Sequence, residues 1–143
     1  MYYVNTEQIE VRLAVIPHLA EAAQRLQVEW SPDKPDLLHA LAQERTLHLA
    51  IEAVTDIGSL MIDGFLMRDA SSYEDIIDIL HGEGVFGKEL AEPLHELVRL
   101  RKLLVQDYMR IEREALNPLT ARLPDLLPRF AQSVRKFIEK ELS

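Results

Sequence analysis

Glu44 to Phe65, reading ERTLHLAIEAVTDIGSLMIDGF, is the stretch that decides the fold. Leu47, Ile51, Val54, Gly58, Met61 and Phe65 recur at alternating intervals of four and three, the period of an α-helix and not of a strand. Ala50, Ala53, Ile57 and Leu60 widen that stripe well beyond the arc with which a surface helix meets its core. The only polar stripe left is Arg45, His48, Glu52, Asp56, Ser59 and Asp63. A helix from about Asp36 to Asp63, ending near Gly64, is therefore predicted to be the central one, covered by neighbours on most sides. Gly58 costs about 1 kcal/mol against alanine inside a helix. Its presence predicts the close approach of another backbone.

Working outward, the rest of the chain reads as further helices and no strand. Asn5, with Gln8 three residues on, has the form of a capping box opening a first helix that runs to about Val28. Pro17 falls within it and should kink it or remove one backbone bond. Ser31-Pro32-Asp33-Lys34-Pro35 is a turn. Ser71-Ser72 caps a short third helix, Tyr73 to about His81, with Glu74 and Asp75 at its positive end. A fourth helix is expected from Lys88 to about Glu114. After Asn117-Pro118 a last one reaches about Leu142, with Pro124 and Pro128 making its first half irregular. Short connections between long helices predict an all-α, antiparallel bundle of four to five helices. It should form one domain over residues 1–143, with its core in about 5–115.

Composition narrows the function classes. The 143 residues include no cysteine, which excludes disulfides, a thiolate nucleophile and thiolate metal sites. No apolar run approaches the roughly 20 residues of a membrane span, and Met1-Tyr2-Tyr3-Val4-Asn5 lacks the layout of a signal peptide. The expectation is a cytoplasmic protein without membrane contact. A net charge of −8 argues against general nucleic-acid binding, yet the charge is uneven. Residues 1–86 carry 15 acids and 5 bases, whereas residues 87–143 carry 9 acids and 11 bases. Arg99, Arg101, Lys102, Arg110 and Arg113 crowd one short segment, so any anion site is expected there.

That segment also carries the chemistry. Leu90, Leu94, Leu97, Arg101, Leu104, Tyr108 and Ile111 follow the same alternation of four and three, placing a guanidinium and a phenol on an apolar stripe. Seven helical residues at about 100° each would leave Arg101 and Tyr108 roughly 20° apart in azimuth. An arginine on such a stripe snorkels out, pairs with a carboxylate, or faces a water-lined cleft. Glu52 and Asp56 on the second helix are its candidate partners. Glu92-Pro93-Leu94-His95 spells the Glu-x-x-His of di-iron bundles but has no second copy, and Glu44, His48 and Glu52 lack a further sharp metal ligand. No metal or cofactor is expected.

The segment Arg101-Lys102-Leu103-Leu104-Val105-Gln106-Asp107-Tyr108 resembles the R-x4-H-x-Y motif of the HepT toxins, a branch of the HEPN superfamily. Glu44-Arg45, Ala50-Ile51-Glu52-Ala53 and Asp56-Ile57-Gly58 resemble that family's second helix. Ser72-Tyr73, Ile79-Leu80 and Gly84-Val85 fit its third helix and the loop after it. The resemblance covers roughly residues 5–115 and is greatest to the small YutE-like members. It implies a HEPN/HepT-like fold, a homodimer whose fourth helices line a cleft, and metal-independent endoribonuclease chemistry in a toxin–antitoxin type system. It further implies that Arg101 holds the scissile phosphate; Lys102 beside it, and Glu52 and Asp56 if they line the same cleft, are the other expected substrate-binding residues. Tyr108 would be the phenol that a partner nucleotidyltransferase antitoxin modifies with AMP.

Lys102 stands where the family often has an asparagine after the arginine, and one position departs from the motif itself. Gln106 stands where the family's histidine moves protons, and an amide cannot gain or lose a proton near pH 7. Loss of a general acid–base group costs about 10²- to 10⁴-fold in rate. The expectation is RNA or nucleotide binding with weak or lost cleavage. The alternative is a non-catalytic dimeric module that docks the transferase. On a straight helix Gln106 also lies about 140° around the axis from Arg101, so their convergence needs a distorted helix or a second subunit. Among His18, His39, His48, His81 and His95, only His48, on the polar stripe of the second helix, is placed to substitute.

Overall fold

The computed structural model describes residues 1–143 and contains helices and no strand. Seven α-helices follow one another: α1 (Thr6–Leu13), α2 (Ile16–Glu29), α3 (Leu37–Gly64), α4 (Tyr73–Gly82), α5 (Lys88–Arg99), α6 (Arg101–Val105) and α7 (Pro118–Leu142). A single 3-10 turn, Tyr108–Arg110, lies between α6 and α7. α3 touches every other α-helix. Around it α2 packs on α7, α7 on α5, and α5 on α4. The apolar stripe predicted for the central helix is buried throughout, with Ile51, Val54, Ile57 and Met61 fully inaccessible. They belong to one apolar cluster of 32 buried residues that runs from Ile9 to Val134.

The caps read at Asn5 and Ser72 are made, although the Gln8 side chain turns to Arg12 and leaves the capping box half closed, and Asp36 supplies a cap beyond those expected. The Asn5 side chain accepts from the Gln8 amide at 3.1 Å, Asp36 caps α3 through the amides of Leu38 and His39, and Ser72 accepts from the Asp75 amide at 3.0 Å. Pro17 divides the first predicted helix. Lacking an amide proton, it sits in the first turn of α2, and the chain passes from α1 to α2 through Ala14 and Val15.

Four details differ from expectation. The neighbour that excludes a larger residue at Gly58 is the Ile76 side chain of α4, with Leu80 next to it, and not another backbone. Gly64 is not the left-handed stop of α3. It is still helical, and a Cβ there would lie 2.9 Å from the Val4 Cα. The left-handed position falls on Leu66 (φ 56°), and the Met67 amide closes the end on the Ile62 carbonyl at 2.9 Å. α7 is continuous through Pro124 and Pro128. Each interior proline costs about 3 kcal/mol, but α7 buries Leu119, Leu123, Leu126, Leu127, Phe130 and Val134. At roughly 1.5–3 kcal/mol for each large apolar side chain, packing outweighs the missing bonds.

The fourth difference bears on function. The predicted fourth helix does not run to Glu114. A tight turn at Leu100 separates α5 from α6, and regular helix ends at Val105. Residues 106–117 instead wrap back over α3. Buried Gln43 holds them, accepting from the Asn117 amide (2.8 Å) and the Thr120 hydroxyl (2.7 Å) and donating to the Ala115 carbonyl (3.2 Å). The Trp30 indole adds a hydrogen bond to the Glu114 carbonyl at 3.1 Å.

Candidate functional site

Arg101 opens α6 at the edge of the core, 27% exposed. Its Nε donates to Glu52 Oε1 on α3 at 3.2 Å. The Tyr73 ring, at the start of α4, lies under the guanidinium with its centroid 4.2 Å from Cζ. These two contacts fix the plane and direction of the group. Neither Nη makes a hydrogen bond within the chain, so the forked outer edge of the guanidinium is free. A planar donor pair held in that way suits a phosphate or carboxylate.

Tyr73 is placed by the connection before it. Arg68 donates to both oxygens of Asp75 at 2.7 Å, and the Ser71 amide and hydroxyl reach the same carboxylate at 2.9 and 3.0 Å. The Arg68 hydrogen bond, with that of the Ser71 backbone, holds the Asp75 carboxyl well below the usual carboxylate range. The clasp pins the start of α4, and with it the ring that Arg101 rests on.

Glu52 has a second neighbour besides Arg101. Its Oε1 is also 3.3 Å from His48 Nε2 one turn earlier on α3. The other ring nitrogen of His48 lies 3.5 Å from an Nη of Arg45. Asp56, the other expected partner, is turned away and sits 3.6 Å from Arg12 of α1. Glu44 receives Arg113 through two hydrogen bonds of 2.9 and 3.2 Å.

The remaining motif residues are not gathered around Arg101. Tyr108 is not on its stripe, because α6 has ended, and the phenol side chain stands in the 3-10 turn, 51% exposed. Its carbonyl accepts from Arg113 at 3.1 Å, so the Glu44–Arg113 pair ties the turn to α3. Gln106 closes α6 as an exposed residue. Lys102 and Arg110 are exposed and make no ion pair, whereas Arg99 is held by Glu74 at 2.8 Å. Next to these residues lies a cleft of about 410 Å³, bordered by Leu100, Leu104, Arg110, Glu44 and Asn117 but not by Arg101.

Sequence reasoning missed two residues. Gln43 gave no signal beyond a polar side chain near the buried stripe. Tyr73, the shelf under Arg101, was visible only as the residue after a helix cap and as part of the third-helix resemblance, with no role attached.

The chain matches the family model described as Ribonuclease HepT-like over residues 17–134. It is 37% identical to YutE of Bacillus subtilis (strain 168), which is provisionally named an RNase, over 99% of this chain and 95% of that protein. A protein of Archaeoglobus fulgidus with the same provisional name is 30% identical over 64% of this chain and 68% of its own length. Among solved structures, YutE of B. subtilis, described as a cytosolic protein of unknown function, superposes with a TM-score of 0.85 and 35% identity, covering 99% of this chain and 96% of that one. A tri-AMPylated HEPN toxin of Shewanella oneidensis, in complex with its MNT antitoxin, shares the fold. Its TM-score is 0.72 at 22% identity, over 90% of this chain and 95% of that one.

Proposed function

The chain belongs to the HepT-like ribonuclease family, and from that premise we propose that it is an RNA-binding member of a toxin–antitoxin type system with much-weakened cleavage. The outer edge of Arg101 takes an RNA phosphate, and the unpaired cations Lys102 and Arg110 supply further contacts along the strand. The observation that carries this is the guanidinium itself, held by Glu52 and Tyr73 with both Nη groups unengaged. Cleavage is weak because Gln106 offers a hydrogen bond where proton transfer is needed. Two chains pair so that their α6 segments and 106–117 loops face one groove. In the pair, a Gln106 from the second chain compensates for its wide angle from Arg101 on the first.

Tyr108 is the site of modification. Its half-exposed phenol, on a turn anchored by Arg113, stands open to a partner nucleotidyltransferase that transfers AMP. The AMP-bearing HEPN toxin among the structural neighbours supports this assignment. Such a system places the protein with RNA in the cytoplasm.

The test measures RNA affinity and cleavage for the wild type, Arg101→Ala and Gln106→His. The proposal requires Arg101→Ala to lose affinity and Gln106→His to gain cleavage. If Arg101→Ala changes neither, the proposal fails.

A second reading is a dimeric module without chemistry that docks the transferase. It is favoured by the exposed Val105, Tyr108 and Met109 beside the motif, which form an apolar edge suited to a protein partner. Incubation with a cognate transferase and ATP separates the two. An AMP adduct on Tyr108 together with Arg101-dependent RNA binding supports the first, and stable docking without either supports the second.

A further inference from the structure

The missing motif histidine is not the only imidazole that bears on Arg101. His48 Nε2 and Arg101 Nε contact the same atom, Glu52 Oε1, at 3.3 and 3.2 Å. Their separation therefore cannot exceed the sum of those two contacts. The pairing lies within one chain, on α3 and α6, and needs no second subunit. His48, Glu52 and Arg101 are each about 30% exposed, so they are shielded yet reachable.

No other histidine has this relation. His39 is paired with Glu29 and stacked on Trp30, and His95 is held by Asp78 at 2.8 Å between α4 and α5. His18 and His81 are exposed and have no ion pair.

Resting on the RNA-binding role of Arg101, the geometry points to His48 as the proton acceptor of the residual cleavage, with Glu52 as its positioning residue. The Glu52 carboxylate, 3.3 Å from Nε2, favours the tautomer with the proton on Nε2. Nδ1 is then the acceptor nitrogen. It faces only Arg45 within the chain, at a long 3.5 Å from an exposed and movable side chain. When Arg101 holds the phosphate, Nδ1 removes the proton of the adjacent ribose 2′-hydroxyl. The 2′-oxygen bonds to phosphorus, and the bond from phosphorus to the 5′-oxygen breaks, leaving a 2′,3′-cyclic phosphate. The departing 5′-oxygen takes a proton from water. The hydroxide so formed recovers the proton carried by His48, and the balance closes without metal or cofactor.

The experiment uses the full-length protein and a pool of random-sequence single-stranded RNA, with cyclic-phosphate ends as the product measured. The wild type is expected to cleave slowly, with a rate that falls as the pH is lowered. His48→Asn should lower that rate at least tenfold, toward the ~10²-fold of a lost acid–base group. It should also flatten the acidic limb of the pH profile and leave RNA affinity within about twofold. Added imidazole should restore part of the rate. His18→Asn, on the exposed face of α2, should behave as the wild type.

A His48→Asn protein with wild-type rate and pH profile overturns the inference, as does a wild type that yields no cyclic-phosphate product. Either result leaves the RNA-binding role standing if Arg101→Ala still loses affinity. If Arg101→Ala keeps full affinity, that role fails first, independently of His48. Thermal melting of His48→Asn near the wild-type temperature excludes misfolding as the cause of a lost rate.

Discussion

Replacing Arg101 with alanine should separate holding RNA from holding the fold. Within the chain the side chain makes one ion pair, to Glu52, with both partners about 30% exposed. Pairs so placed contribute about 0–1 kcal/mol. Its contact with the Tyr73 ring adds about 0.5–1 kcal/mol at a partly exposed site. Glu52 keeps His48 as a partner, so no carboxylate is left stranded. The expected cost to folding is therefore about 1 kcal/mol, a fall of roughly 3–5 °C in melting temperature for a chain of this size. The cost to RNA binding is larger. Hydrogen bonds from a charged donor to a phosphate contribute about 1.5–3 kcal/mol, which predicts a roughly 10- to 150-fold weaker Kd. Fluorescence anisotropy with labelled single-stranded RNA across a salt series measures both the affinity and its origin. Losing one phosphate contact should flatten the slope of log K against log salt by about 0.7. An Arg101→Ala protein that melts far below the wild type while binding RNA with unchanged affinity and slope would refute the assignment and make Arg101 a structural residue.

Other outcomes follow from neighbouring geometry. Gln106→His should raise cyclic-phosphate production by about tenfold or more, read from the same cleavage assay, and no gain would mean that this position does not reach RNA. Gly58→Ala places a Cβ against the Ile76 side chain, which is stiff at its branched carbon. Overpacking of about 1–3 kcal/mol should exceed the helix gain of about 1 kcal/mol, so denaturant melts should show net destabilisation. Leu66→Gly relieves a left-handed leucine and should raise stability by up to about 1 kcal/mol. The Arg68–Asp75 clasp has a set pH sense. Because the folded-state pKa of Asp75 is depressed, its contribution is full above the unfolded aspartate value of about 3.9 and is lost as the pH falls below it toward the folded value. The stability difference between wild type and Asp75→Asn should therefore be constant near neutrality and shrink in acid.

The parts of this molecule legible in the sequence are those governed by local periodicity. The α3 stripe, the caps at Asn5 and Ser72, and the break at Pro17 each follow from a few adjacent residues, and each is present. The pairing of Arg101 with Glu52 was also within reach, since a cation on an apolar stripe needs a partner and Glu52 stands on the only polar stripe of the central helix. The end of α6 was not. Nothing in Gln106 to Glu114 breaks a helix by itself. The segment leaves the helix because distant residues hold it: Trp30 takes the Glu114 carbonyl, Gln43 secures Ala115 and Asn117 just beyond, and Glu44 holds Arg113, which in turn donates to the Tyr108 carbonyl. A periodicity count carried through that point placed Tyr108 on the stripe of Arg101, whereas it stands on a separate turn. α7 errs in the opposite sense, because its prolines argue locally for irregularity and long-range burial overrides them.

The most direct measurement is a structure of the protein bound to an RNA strand whose cleavage is blocked by a 2′-methoxy group. A backbone phosphate should lie on the outer edge of Arg101, within hydrogen-bond distance of both Nη groups, while Nε stays on Glu52 and the ring of Tyr73 stays beneath. A strand that binds instead along Arg110 and Arg113, with no phosphate near the Nη groups of Arg101, would contradict the account.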